Sequence, residues 1–442
     1  MVRPLQGPLT TPLATLKEDL NAIVRAGVDA VSAAHVIDRA LADPALVEVL
    51  TSRRLHVVAV GKAAAPMAAA FMAVPHLSIQ QAIAIGTHAD VRLPDGLEWM
   101  ESSHPFPDAR SEAAGRRALA VAQSVHSGEV LVILLSGGAS ALMAAPVDGI
   151  SLADKVTTTR LMMEAGADIH ALNTVRRHLS NVKGGRLAAA CIGTTITLAL
   201  SDVVGDDLNA IGSGPGVADV TTWRDAAAAL LRFGGRDHLE SVHAAVQRGL
   251  AGALPDTPKA GHASLGRASA KVIGGRLDAI AGARAAAAAR GYGVVTLEEP
   301  VVGEARDAGP AWLQRVRELT RSSPKPVCVI SGGETTVRVT GNGRGGRNLE
   351  FVLSIAESLA RQGPVAAASI GTDGIDGSSG VAGAVVDSTT VARAGTAGLK
   401  APGHYLATNN SLAYFAPLDD VIHLGRTHTN VGDLQVIVIH EP

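Results

Sequence analysis

The stretch SGGETTVRVTGNGRGGRNLE, residues 331–350, follows an apolar run, Val327-Cys328-Val329-Ile330, of the kind a buried strand makes. Ser331, Gly332 and Gly333 are expected to break that strand, and Glu334 is the first charge beyond them. Residues 335–340 alternate as a half-buried strand does. Gly341, Gly343, Gly345 and Gly346 then interleave with Asn342, Arg344 and Arg347. From Asn348 the spacing turns helical, with Phe351, Val352, Ile355 and Leu359 on one side. Two guanidinium groups and a run of unhindered backbone amides thus stand just before a helix start. That combination suits an anion with several oxygens, a phosphate or a carboxylate.

On both sides of this stretch, apolar strands alternate with Ala-rich helical segments. Strands are expected at 55–60, 81–86, 130–135 and 194–200, with helices after residues 63, 108 and 151 and over 169–190. This order implies βαβ units and a mostly parallel sheet. Residues 252–268, rich in Pro, Gly and Ala, read as the linker, so the domains are placed at 1–255 and 256–442. Further strands are expected at 271–274, 293–297, 365–370, 384–386 and 434–439. The strand ends LLSGGASAL and VISGGETTV read alike, so both halves present small, open strand ends to a ligand.

The 442 residues suffice for two or three domains, and 47% of them are hydrophobic. Aromatics are only 2%, so the cores must rest on Ala, Val, Leu and Ile. A formal net charge of -2 gives no global pull toward nucleic acid or an anionic membrane. Cys191 and Cys328 both lie in apolar surroundings and are expected as buried thiols in a reducing compartment. No run of about 18 apolar residues is present, and residues 1–13 lack an apolar signal core. The expectation is a cytoplasmic protein.

Lys62 follows a strand and a glycine and opens a helix, where the helix dipole disfavours a cation unless an anion is bound. No G-x-x-x-x-G-K-S/T is present there, which excludes a Walker P-loop. No G-x-S-x-G elbow surrounds Ser136-Gly137-Gly138-Ala139-Ser140, so a nucleophile is disfavoured. Its glycines either admit a phosphate close to backbone or make a tight turn. Gly341, Gly343 and Gly346 fit G-x-G-x-x-G, but the preceding strand alternates and carries Arg338, and no carboxylate ends the following strand. A dinucleotide site is therefore disfavoured. Arg176, Ser180 and Lys183 share one face of the helix expected here, as a solvated face or, given Gly184-Gly185, beside a ligand. Asp202, Asp206 and Asp207 follow one strand end, and Asp373 and Asp376 lie in a glycine loop after another. Such acids serve as a general base, as Mg²⁺ ligands alongside phosphate oxygens, or as turn formers.

Seven blocks now resemble one family: AVGKAAAPMA (59–68), ILLSGGASALM (133–143), NTVRRHLSNVKGGRLA (173–188), LALSDVVGDDLNAIGSGP (198–215), ISGGETTVRVTGNGRGGRNLEF (330–351), SIGTDGIDGSSGVAGAVVD (369–387) and TNVGDL (429–434). In this order they look like the class II glycerate 2-kinases, also called the MOFRL family. The resemblance implies two α/β domains: an N-terminal Rossmann-like parallel sheet and a C-terminal mixed-sheet MOFRL domain, with the active site in the interdomain cleft. It implies ATP and Mg²⁺, with D-glycerate phosphorylated at its 2-hydroxyl. Partners are then a small-molecule substrate, D-glycerate or a related hydroxy acid, and a nucleotide, with no nucleic acid and no membrane; a homodimer is compatible with it.

Residue by residue, Lys62 and Arg347 match side chains that act on the substrate or the transferring phosphate. Asp202 matches an aspartate that orients or deprotonates the hydroxyl. Ser136, Gly137, Gly138, Ser140 and Lys183 in one half, and Ser331, Gly332, Gly333, Glu334, Arg344 and Asn348 in the other, match segments facing substrate or nucleotide. Asp373 and Asp376 are the metal candidates. Leu424-Gly425-Arg426-Thr427-His428 departs from the family's usual T-G-P-T-G, which bears on the shape of that loop. Members also carry a hydroxypyruvate reductase label. The alternatives are therefore an NAD(P)H-dependent reductase, which the missing nicotinamide fingerprint argues against, and a non-catalytic module that binds phosphorylated metabolites.

Overall fold

The computed structural model describes residues 12–89 and 91–440, so most of the stretch read above for a signal core lies outside it. Six strands make one sheet: β1 (Arg54–Val60), β2 (Ser78–Gly86), β3 (Leu97–Glu101), β4 (Val130–Leu135), β5 (Thr194–Leu200) and β6 (Ala268–Gly274). Every pairing is parallel, in the order β3-β2-β1-β4-β5-β6. The central strands explain why. All of β4 and all but the first residue of β1 are buried, as strands covered on both faces must be. The polar LEWME of β3 takes an edge. The chain winds outward from β1 to β3, then crosses to β4 and winds the other way. The crevice at the carboxyl ends of β1 and β4 is therefore a topological switch point, where doubly wound sheets bind ligands.

Short side chains let helices lie close to this sheet. Ala114, Ala118 and Val121 of helix Ala109–Ser124 pack with Ile83, Leu131 and Ile133. That helix starts where Asp108 accepts from the N–H groups of Arg110 and Ser111. Ser151 and Asp154 open helix Leu152–Glu164 with a reciprocal capping box.

The other sheet holds β7 (Gly293–Thr296), β8 (Val301–Glu304), β9 (Val327–Thr336), β10 (Val365–Gly371), β11 (Gly383–Asp387), β12 (Val421–Ile422) and β13 (Asp433–Ile439). Its order is β12-β11-β10-β13-β9-β7, with β8 also beside β9. It is mixed: β7 and β8 run parallel to β9, and the remaining pairs are antiparallel. Strand alternation sorts the faces. Cys328, Ile330, Ala366, Ala368 and Val436 meet helices Pro12–Asp29 and Arg276–Ala289, whereas Val329, Ala367 and Ile437 meet helices Ala305–Thr320 and Arg347–Leu359.

The chain divides into two compact units, one of residues 33–274 and the other of the segment up to Ser32 together with residues from Gly275 onward. Leu16, Leu20, Ile23 and Val24 of the first helix join the core of the second sheet, which draws that helix out of the amino-terminal unit. The strand expected at 271–274 pairs with β5 and completes the first sheet. The division therefore falls after Gly274, beyond the linker position read from composition.

Ser331-Gly332-Gly333 does not break its strand; β9 runs through it to Thr336 and stops short of the expected Thr340. The glycines are there for close packing instead. A methyl on Gly333 would lie 1.9 Å from the Val301 carbonyl oxygen of β8. Gly333→Ala should therefore destabilise the protein by about 1–3 kcal/mol in urea unfolding. Gly395→Ala, within a helix and with nothing within 4 Å of the added methyl, should be neutral or stabilising by about 0.5–1 kcal/mol.

Candidate active site

In the unit of residues 33–274, Lys62, residues 136–138 and Asp202 sit on loops at the carboxyl ends of β1, β4 and β5, and Ala139 and Ser140 open the short helix Ala139–Leu142. Gly61 leaves β1 at φ 128°, and a methyl on it would meet Ser136 Oγ at 2.1 Å. This close approach lets the Lys62 N–H donate to the Gly137 carbonyl (2.9 Å) and the Ala63 N–H donate to Ser136 Oγ (3.1 Å). The Ser136 hydroxyl thus ties two loops together. Asp202 lies directly over Gly137, where a methyl would be 1.9 Å from its Oδ2. Gly138, at φ 83°, is roofed by the His104 ring and the stem of Lys62, 3.1 and 3.4 Å from an added methyl. A cation, an imidazole and a carboxylate therefore surround two bare glycines. Burial, and then the charge of Lys62, lower the pKa of His104, which keeps it neutral near pH 7.

Ser140 Oγ bonds Ser213 Oγ (2.9 Å), which donates to Asn173 Oδ1 (3.0 Å), so its role is to anchor the loop. Lys183 is buried and donates to the carbonyls of Ser140 (2.7 Å) and Met143 (3.1 Å). The helix expected over 169–190 ends at His178. Gly184 and Gly185, at φ 56° and 79°, turn the chain instead, so Arg176 and Lys183 do not share a helix face. They still line one cavity, because the turn folds Lys183 back toward the loop after β4. Asp207 Oδ1 accepts from the Asn209 N–H (2.9 Å) and Asp206 sits at φ 56°, the behaviour of turn formers.

In the other unit, Asp433 opens β13 between Gly333 of β9 and Gly371 of β10. It is fully buried. It accepts from Arg347 Nε (2.9 Å), Asn348 Nδ2 (2.9 Å) and the Thr335 N–H (3.2 Å). Glu334 holds Arg347 Nη1 from the exposed side at 2.9 Å. Burial pushes the Asp433 carboxyl up to about 6, against the pull of Arg347 and Asn348. Asn348 is itself buried and bonded to Ser369 Oγ (2.6 Å), so it braces the site from behind.

The run of amides does not stand open as the sequence reading expects. Asn409 takes the N–H groups of Thr340 (2.7 Å) and Gly341 (2.9 Å), Thr408 that of Gly343 (3.1 Å), and Asn410 that of Arg344 (3.1 Å). The glycines are needed to press this loop onto residues 408–411, with methyls on Gly341 and Gly343 meeting atoms at 2.3 and 2.4 Å. Arg338, expected inside a strand, is exposed and lies beyond the end of β9. Its backbone N–H donates to Glu304. Asp376 is buried, and its two oxygens accept from the N–H groups of Asn348 (3.0 Å) and Leu349 (2.9 Å). It caps helix Arg347–Leu359 from a distant loop, which removes it from the metal candidates. Ser331 is also withdrawn: it is buried and accepts from Trp312 Nε1 (2.8 Å). With Gly332 and Gly333 buried inside β9, the exposed Glu334 is what that segment offers a ligand. Arg344 is exposed and donates to the Ser378 carbonyl (3.3 Å), and Asp373 Oδ1 accepts from the Ile375 N–H (3.1 Å). Among the described residues no three His, Cys, Asp or Glu side chains gather as a metal cage. His428, in the loop that departs from the family pattern, takes φ 57°, the conformation a glycine would adopt.

Sequence reasoning missed Asp433, His104 and Lys155. Asp433 carried a faint signal, an acid heading an apolar strand; the other two sit in stretches with no distinguishing pattern.

Fold and geometry define an α/β protein of the doubly wound class, with Lys62, Gly137, Gly138 and Asp202 gathered at the strand ends of a switch point. Comparison with known proteins narrows this. Residues 19–249 match a domain of unknown function, DUF4147, and residues 327–433 match the MOFRL family. A D-glycerate 2-kinase of Thermotoga maritima is 36% identical over 391 residues, covering 87% of this chain and 91% of that protein. An Agrobacterium vitis protein that carries the hydroxypyruvate reductase label is 38% identical over 430 residues, covering 92% and 95%. The crystal structure of a glycerate kinase from Thermotoga maritima superposes with a TM-score of 0.86 at 34% identity, covering 96% of this chain and 100% of the other. The chain belongs to the MOFRL family, with its DUF4147 domain, and is an enzyme of the kinase class. Among the described residues no single helix is long and apolar enough to cross a membrane.

Protonating Asp433 removes a fixed negative partner of Arg347, so the ionised form is the one that orients it. As pH falls through about 6, kcat/KM should drop about tenfold per unit, and Asp433→Asn should lower activity and flatten that limb in a pH–rate profile.

Proposed function

We propose that the protein transfers the γ-phosphoryl group of ATP to the 2-hydroxyl of D-glycerate, giving 2-phosphoglycerate and ADP. The observation that carries this reading is the gathering of Lys62, Asp202 and the bare Gly137-Gly138 pair at the strand ends of β1, β4 and β5. Phosphoryl transfer needs placement and charge neutralisation more than covalent chemistry. The 2-hydroxyl oxygen attacks the γ-phosphorus, and the bond from that phosphorus to the β,γ-bridging oxygen breaks, so that ADP leaves with that oxygen. The hydroxyl proton passes to the Asp202 carboxylate. Lys62 neutralises charge on the substrate or the transferring phosphate, which also removes its conflict with the helix it precedes. Arg347, oriented by Asp433 and Glu334, acts on the same class of anion. Mg²⁺ supplies neutralisation of phosphate oxygens when bound, and Asp373 is the carboxylate we assign to it. The committed amides of the 340–344 loop leave little for a dinucleotide pyrophosphate there, which weighs against a reductase.

A coupled ADP-release assay across three- and four-carbon hydroxy acids should give D-glycerate as the best acceptor and 2-phosphoglycerate as product. Lys62→Ala, Asp202→Asn and Arg347→Lys should each lower kcat by about 10²–10³-fold while the thermal midpoint holds. Near-normal turnover in all three, or NADH oxidation by hydroxypyruvate without ATP, would sink this reading.

A further inference from the structure

Within the unit of residues 33–274 lies a cavity of about 280 Å³ whose lining combines cationic and large apolar side chains. Its lining includes the cationic Lys155, Arg176 and Lys183 and the apolar Phe106, Val156 and Met163, with helix Leu152–Glu164 supplying Lys155, Val156 and Met163. Gly138 and Ser140, which follow β4, also line it. Lys155 is 8% exposed, and its Nζ has no hydrogen-bond partner. A buried ammonium left unpaired is costly, and a folded chain keeps one only where something else completes it. The acid that acts on it, Glu112, is already paired with Arg116 (2.6 Å). Phe106 and Met163 of the same lining are 60% and 52% exposed, large apolar groups left at the mouth rather than in the core.

We infer that this cavity is the nucleotide subsite, with the polyphosphate against Lys155 and Arg176 and the base against Phe106 and Met163. The identity of the nucleotide rests on the kinase reading above. Three clustered cations call for a multiply charged anion, which a triphosphate is and a three-carbon hydroxy acid is not. The flat apolar lip suits a heteroaromatic ring by stacking and sulfur contact. Burial, with repulsion from Arg176, lowers Lys155 to about 7, and Lys183 is lowered by burial and by both neighbours. A bound polyanion relieves that repulsion. Lys183, tied to the Ser140 and Met143 carbonyls, acts as a positioning residue for the loop.

The test uses the full chain and compares Lys155→Met, Arg176→Met and Phe106→Ala with the parent protein. Loss of a charged hydrogen bond should raise KM for ATP about tenfold or more in the first two, with KM for D-glycerate unchanged. Phe106→Ala should weaken ATP binding in calorimetry while leaving inorganic tripolyphosphate binding as it was. Lys155→Met should also keep or raise the thermal midpoint, because it removes a buried unpaired charge. An unchanged KM for ATP, or a rise in KM for D-glycerate instead, overturns the inference. If the parent protein phosphorylates no hydroxy acid, the kinase reading fails by itself, and ATP calorimetry on the same variants still decides the cavity. Phe106, on the surface, remains a usable probe if a core variant does not fold.

Discussion

The carboxyl end of the parallel sheet depends on backbone coming closer to neighbouring groups than any side chain would allow. Gly61 abuts Ser136, and Gly137 abuts the Asp202 carboxylate. Remove either freedom and the loops after β1, β4 and β5 spread apart. The hydrogen bonds from Lys62 and Ala63 to the 136–137 loop are a consequence of that approach. So is the placing of a lysine stem and an imidazole over Gly138. The chemistry is thus assembled by what is missing from the glycines as much as by the charged groups around them.

The mixed-sheet unit solves a different problem with buried acids. Asp433 and Asp376 each sit behind the start of helix Arg347–Leu359, fully supplied with donors. One fixes a guanidinium and the other satisfies helix N–H groups that would otherwise need solvent or a ligand. The glycine-rich loop, open to an anion on paper, is closed by other acceptors, the Asn409 and Asn410 side chains and the Thr408 carbonyl. The positive side chains are what that segment offers: Arg347 is directed by the carboxylates of Asp433 and Glu334, and Arg344 by the carbonyls of Ser378 and Ser379.

The blocks legible in the chain were those whose meaning is local. Apolar runs such as VLVILL predict buried parallel strands, and Asp108 and Ser151 predict helix starts, because capping involves residues two or three apart. Lys62 stood out because a cation there conflicts with the helix it opens, whereas Asp202, one of three aspartates after its strand, was singled out by the family resemblance. Ser331-Gly332-Gly333 misled because glycine signals a turn and a close strand approach with the same letters. Lys155 was invisible, since it meets Arg176 and residues 104–107 around one cavity only once the chain is folded.

By itself the sequence determined the alternation of strands and helices, the two-sheet α/β class, the family and the identity of the charged groups. These follow from periodicity and short-range spacing, which backbone geometry translates directly. Only the tertiary structure decided which amides were already taken, which acids were buried behind the arginine, and which cations met in one cavity. Those outcomes turn on desolvation and on partners far away along the chain, and neither quantity is carried by a residue's neighbours in sequence.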